Sequence, residues 1–142
     1  MLNKIGVIGA GQMGSGIAHV CALSERNVVL MDIDQGALAK TLEKISGDMD
    51  RQIKRTLIEA EDKDAALTRI GTVTEMSGLS DCDMVIEAAT EDESVKVKIF
   101  EGLCPHLKDS AIIASNTSSI SITRLAAGTD RPHKFMGMHF MN

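Results

Sequence analysis

Ile5-Gly6-Val7-Ile8-Gly9-Ala10-Gly11-Gln12-Met13-Gly14 is the stretch whose reading decides the fold. Residues 5–8 form a short apolar strand of the kind that is buried on both faces of a parallel sheet. Three glycines follow at once in a G-x-G-x-x-G pattern. A helix then runs over residues 13–23, with Met13, Ile17, Val20 and Leu23 at helical spacing on one side. Glycines alone are weak evidence, because ordinary turns contain them too. Between a buried strand and an apolar-periodic helix, each one has a task. Gly9 makes the tight turn, Gly11 lets the backbone approach a pyrophosphate, and Gly14 lets helix and strand pack closely. The helix N-terminus offers unpaired N–H groups and a partial positive charge to phosphates.

Working outward, residues 28–31 form a second strand ending at Asp32. An acidic residue about 20 positions beyond the glycines accepts hydrogen bonds from the adenosine ribose hydroxyls of a dinucleotide. The neighbours Met31, Ile33 and Asp34 provide no cation for a 2′-phosphate, and Asp34 adds to its repulsion, so NAD is favoured over NADP. Asp34 itself suits the N-cap of a long helix over residues 35–55, whose apolar stripe is Leu38, Leu42, Ile45, Met49 and Ile53. The acidic stretch 59–64 turns into a short helix ending near Arg69. Further strands are expected at 72–74, 84–88, 111–114 and 135–138, with helices at 93–107 and around 122–126. This alternation predicts an α/β fold, a doubly wound and mostly parallel sheet of the Rossmann type. The long helical excursion follows the second strand, and residues 1–142 make one domain.

Composition excludes several classes. A net charge of −5 argues against non-specific nucleic-acid binding, which needs a basic surface. No apolar run is long enough to span a bilayer, and the first residues lead straight into the strand with no signal peptide before them. A soluble, cytoplasmic protein is the expectation. Cys21, Cys82 and Cys104 lack a C-x-x-C spacing and sit in apolar segments, as reduced core thiols do. No metal site is expected. With three Phe and neither Tyr nor Trp, the nine Met serve as adaptable apolar filler.

Four blocks carry a resemblance: GAGQMGSGIA at 9–18, VIEAATED at 85–92, ASNTSSISIT at 114–123 and GMHFMN at 137–142. In content, order and spacing they resemble the 3-hydroxyacyl-CoA dehydrogenases, including the 3-hydroxybutyryl-CoA dehydrogenases of butanoate and fatty acid metabolism. Lambda-crystallin and the dehydrogenase part of multifunctional β-oxidation enzymes look like relatives by the same blocks. The resemblance implies an oxidoreductase moving hydride between (S)-3-hydroxyacyl-CoA and NAD. It matches His139 to the catalytic base, a role that imidazole suits near neutral pH. Ser118 matches the serine that hydrogen-bonds the substrate oxygen. Asn116 falls near the nicotinamide, Glu91 and Lys96 on the nicotinamide-ribose side, with Ala89, Gln12, Met13 and Asn142 also at the cofactor.

On the long helix, Lys40, Lys44, Arg51, Lys54 and Arg55 lie opposite the apolar stripe. The family's helix meets the phosphates of coenzyme A with cations, which makes Arg51 and Arg55 substrate-binding candidates, although a solvated face accounts for them equally well. His19, His106 and His133 have no partner pattern and are expected to face solvent. The resemblance also implies a helical second domain, through which the parent would be a homodimer, and a glutamate that orients the base. Neither lies within these residues, so the chain alone is expected to be nearly inactive. Two alternatives stay open. One is another Rossmann β-hydroxyacid dehydrogenase; the other is a crystallin-like or nucleotide-sensing protein that retains the cofactor site.

Overall fold

The computed structural model describes residues 2–140. Among them, β1 (Lys4–Ile8), β2 (Asn27–Met31), β3 (Ile70–Val73), β4 (Met84–Glu87), β5 (Ile112–Ser115) and β6 (Phe135–Gly137) form one sheet. Its order is β3-β2-β1-β4-β5-β6, and every neighbouring pair runs parallel. The connections are α1 (Gln12–Leu23), α2 (Gln35–Lys54), α3 (Ala60–Thr68), α4 (Glu93–Leu103) and α5 (Ile122–Ala127). The chain winds outward from β1 to β3, returns beside β1, and winds outward again from β4 to β6. This is the doubly wound parallel sheet that the alternation of elements predicts. None of the described helices is long and apolar enough to cross a membrane.

The period-2 alternation of strand side chains builds a core on each face of the sheet. Ile5, Val7, Val28, Leu30, Met84 and Ile86 pack with Ile17 of α1 and with Leu38, Ile45 and Met49 of α2. Ile8, Val29, Met31, Val85 and Ile113 turn the other way, against Phe100 and Leu103 of α4 and Leu125 of α5. Strands covered on both sides need apolar residues at every position, which is why they are legible as unbroken runs. The Phe100 and Phe135 rings meet edge to face, 5.1 Å apart at 83°, and tie α4 to the edge strand β6.

Several local expectations change. β3 begins at Ile70 rather than Thr72, because its register is set by β2, from Val28 opposite Ile70 to Met31 opposite Val73. α4 stops at Leu103, and Cys104–His106 form a 3₁₀ turn in its place. Pro105 is the reason, since it brings no N–H and its ring obstructs a continuing α-helix. α1 buries Gly14, Ser15, Ile17, Ala18 and Ala22, so Val20 is left exposed rather than packed. Small residues let this helix sit close to the sheet, and together with Ile17 they define its inner face. His19 is half-buried instead of solvent-facing, its Nε2 lying 2.7 Å from Gln52 Oε1 in a hydrogen bond between α1 and α2. His106 and His133 are exposed. All three thiols are free, and burial pushes each pKa up, that of Cys82 to about 11. They are unreactive core groups.

Candidate functional site

The sheet order reverses between β1 and β4, and a crevice opens there beyond their carboxyl ends, the general ligand position in such sheets. Gly9 has φ +110°, a conformation that only glycine adopts freely, and a Cβ on it would come within 2.8 Å of the Ala88 carbonyl oxygen. A Cβ on Gly14 would collide with the Gly9 carbonyl. Gly11 differs, because a Cβ there would project into open space. The loop is therefore closed against protein at its two ends and open above Gly11. Gly11 is also the N-cap of α1, with no side-chain cap and no acidic residue in the first turn. The free N–H groups and the open backbone form an anion cradle.

Asp32 follows β2 beside this loop. One carboxylate oxygen accepts from Ala10 N at 2.9 Å and the other from Asp34 N at 2.9 Å. A carboxylate offers about four acceptor directions, so each oxygen keeps capacity for a ribose hydroxyl. Asp34 caps α2 by accepting from Gly36 N and Ala37 N at 2.9 and 3.2 Å. Thr41, which nothing in the local pattern singles out, is buried and donates to the Ala10 carbonyl at 2.6 Å, so α2 holds the glycine loop from below.

A pocket of about 260 Å³ continues from the cradle, with Gly11, Gln12, Met13, Ala89, Glu91 and Asn116 in its walls. The structure thus brings six sequence-expected residues to one crevice. Asn116 is buried, and its Oδ1 accepts from Phe140 N at 3.0 Å. Met138 N donates to the Ser115 carbonyl at 3.0 Å. These two bonds flank His139 and hold its backbone at the strand ends, while its side chain is exposed. Glu91 accepts from Thr117 Oγ1 at 2.8 Å and Ser119 Oγ at 2.9 Å. Partial desolvation pushes this carboxyl up. The two hydroxyls, with the charges of Lys96 and His139, outweigh that and hold it below the ordinary glutamate value. Ser118 lies exposed between these two hydroxyl residues; the cap of α5 is Ser121. The expectation for Asn142 lies outside the described residues.

Two of the candidate cations are paired within the protein. Lys96, expected on the nicotinamide-ribose side, is wholly buried, and its ammonium pairs with the equally buried carboxylate of Glu87. The sequence does carry a signal for this: a glutamate ends the otherwise apolar run Met84-Val85-Ile86-Glu87. Arg51 is not free, because Asp48 pairs with it and also with Lys44, at 2.8 Å for the lysine. Arg51 and Arg55 still flank one cavity of about 520 Å³, shared with His19, Asp48, Gln52 and Lys54.

Residues 4–142 match the family described as 3-hydroxyacyl-CoA dehydrogenase, NAD binding domain. The chain is 54% identical to a 3-hydroxybutyryl-CoA dehydrogenase of Bradyrhizobium diazoefficiens, over the whole chain and 48% of that protein. It superposes on the crystal structure of (S)-3-hydroxybutyryl-CoA dehydrogenase from Ralstonia eutropha with a TM-score of 0.97 and 46% identity, covering all of this chain and 50% of that one. For the 3-hydroxybutyryl-CoA dehydrogenase of Escherichia coli the TM-score is 0.96 at 37% identity, over all of this chain and 30% of that one. The chain spans about half the length of the curated relatives it matches first.

Proposed function

The chain belongs to the 3-hydroxyacyl-CoA dehydrogenase family as its NAD-binding domain, and from this we propose that it is the cofactor half of an enzyme oxidising (S)-3-hydroxyacyl-CoA to 3-oxoacyl-CoA. The observation that carries the reading is the pair of bonds that Met138 N and Phe140 N donate to the Ser115 carbonyl and to Asn116 Oδ1. They bring the candidate base His139 to the strand ends where the dinucleotide crevice lies.

The residues present fit NAD. The cradle above Gly11 has room for a pyrophosphate against free N–H groups, and Asp32 keeps acceptor capacity for two ribose hydroxyls while opposing a 2′-phosphate. Bound NAD supplies the hydride acceptor. His139 takes the proton from the substrate hydroxyl as the carbon loses hydride, a contribution of about 10²–10⁴-fold for a well-placed base. Ser118 donates a hydrogen bond to the same substrate oxygen. Glu91, held ionised by Thr117 and Ser119, presents its carboxylate on the nicotinamide-ribose side of the crevice. Gln12, Met13, Ala89 and Asn116 line the cofactor crevice, and Arg51 and Arg55 face the phosphates of coenzyme A. We further assign the parent protein a helical second domain that pairs it as a homodimer in the cytoplasm, on the strength of the family resemblance.

The reading is tested by titrating the chain with NADH and NADPH. NADH is expected to bind well and NADPH at least about tenfold more weakly, the difference of roughly 1.4 kcal/mol being modest for an uncompensated phosphate beside a carboxylate. Asp32→Ala should weaken NADH more than NADPH. Equal binding of the two by the unaltered chain sinks the assignment.

For the substrate side, Arg51→Glu with Arg55→Glu in the parent enzyme is expected to raise KM for acetoacetyl-CoA by about tenfold, the size of one or two charge-assisted hydrogen bonds. NADH affinity should not move, since the cations line a different cavity. An unchanged KM returns them to a solvated helix face.

A further inference from the structure

We propose that Glu87 is a positioning residue whose single buried carboxylate sets the nicotinamide side of the crevice. The inference rests on the NAD reading above and concerns a residue that touches no ligand in it. Glu87 ends β4 and is completely buried, as is Lys96 of α4. One carboxylate oxygen accepts from Ala89 N at 2.8 Å. The other accepts from Ser115 Oγ at 2.7 Å and from the Lys96 ammonium. Its own carbonyl accepts from Asn116 N at 2.8 Å. Three segments thus meet at one side chain: the loop after β4, the end of β5 and the first turns of α4. The loop after β4 carries Ala89 and Glu91 into the pocket. The end of β5 carries the bonds that hold the backbone on either side of His139.

Stability alone is a poor account of this arrangement. Taking both charges out of water costs about as much as their attraction returns, and an apolar pair of similar size does as well in many proteins. What an apolar pair cannot do is accept the Ala89 N–H and fix the loop in one place. The carboxylate lies behind the pocket wall, on the side away from Asp32 and the adenosine, so its loss should be felt at the nicotinamide end of a dinucleotide and not at the other.

The experiment compares two charge-neutral double variants, which avoids leaving a lone buried ammonium. In Glu87→Gln with Lys96→Met, the amide carbonyl still accepts from Ala89 N and the amide NH₂ donates to Ser115 Oγ. In Glu87→Leu with Lys96→Met, the latch is deleted. Binding of NADH is measured against binding of ADP, which lacks the nicotinamide and its ribose. The leucine double variant is expected to bind NADH about tenfold more weakly than the glutamine double variant, while their ADP affinities stay within about threefold of each other. Because both carry Lys96→Met, the two proteins differ by one ordering hydrogen bond to the loop. Equal NADH affinity in the two double variants, or an equal difference for NADH and ADP, overturns the proposal. A wild-type chain that binds neither ligand overturns the NAD reading and this inference with it. If the leucine double variant fails to fold, amide hydrogen exchange on the unaltered chain decides. Slow exchange at Ala89 supports the latch, and exchange there as fast as at Thr90 overturns it.

Discussion

Gly14→Ala is expected to abolish NADH binding, raising Kd by at least about 100-fold, the equivalent of two hydrogen bonds to a charged group. The added methyl would collide with the Gly9 carbonyl oxygen and approach the Gly9 carbonyl carbon to 2.8 Å. Gly9 has nowhere to retreat. Its φ of +110° is already a turn that only glycine makes easily, and the Ala88 and Ala89 backbone fills the place where a Cβ would stand. The first turn of α1 must therefore swing away from β1, and it takes the free N–H groups of the cradle with it. Gly11→Ala is the informative companion. Its Cβ meets no protein atom within 4 Å, so fold stability should hold while the methyl occupies the space needed by the pyrophosphate. Calorimetric titration of both variants, with thermal melts, separates the two mechanisms. Gly14→Ala binding NADH within tenfold of the unaltered chain would show that the helix does not have to pack this closely.

The second large effect concerns turnover. His139→Ala in the parent enzyme is expected to lower the rate of NADH oxidation with acetoacetyl-CoA by about 10²–10⁴-fold, the usual contribution of a general acid–base group, since in this direction the residue returns the proton to the substrate oxygen. NADH affinity should stay within about threefold, because the imidazole is exposed while its backbone is held separately through Ser115 and Asn116. The same geometry bears on the 142-residue chain assayed alone. Among the described residues no hydrogen bond holds the His139 ring, and the carboxylate of Glu91 is already engaged by Thr117 and Ser119. A base that is free to rotate loses much of its advantage in positioning. The chain alone is therefore expected to bind NADH and turn over near background. A rate within tenfold of the parent's would refute this, and an unimpaired His139→Ala enzyme would remove the residue from the chemistry altogether.

The glycine loop is legible because everything it needs is close in sequence. A strand, a turn with positive φ and a helix that must approach its strand lie within residues 4–23. The Asp34 cap is legible for the same reason, as it bonds to backbone two and three residues on, and Asp32 is legible from its spacing beyond the glycines, although its bond to Ala10 spans 22 residues. Helical spacing misplaces Val20 on the inner face of α1, because hydropathy favours the bulky residue and close packing favours the small ones. Lys96 escapes a local reading for a deeper reason. A lysine on a helix is ordinarily solvated, and only the arrival of Glu87 from β4, nine positions earlier, makes its burial tolerable.

Residues in the sequence by themselves determined the doubly wound sheet and the NAD-binding crevice, because backbone periodicity, glycine conformations and the spacing of one strand-end carboxylate are properties of the sequence pattern. Tertiary structure alone decided which polar groups serve the site from behind. Thr41 reaches Ala10 from 31 residues away, Ser115 reaches Glu87 from 28, Thr117 reaches Glu91 from 26 and Phe140 reaches Asn116 from 24. Each of these groups hydrogen-bonds equally well to water in the unfolded chain. The parallel alignment of β1, β4 and β5 brings the strand ends level for the last three, and the packing of α2 brings Thr41 to Ala10.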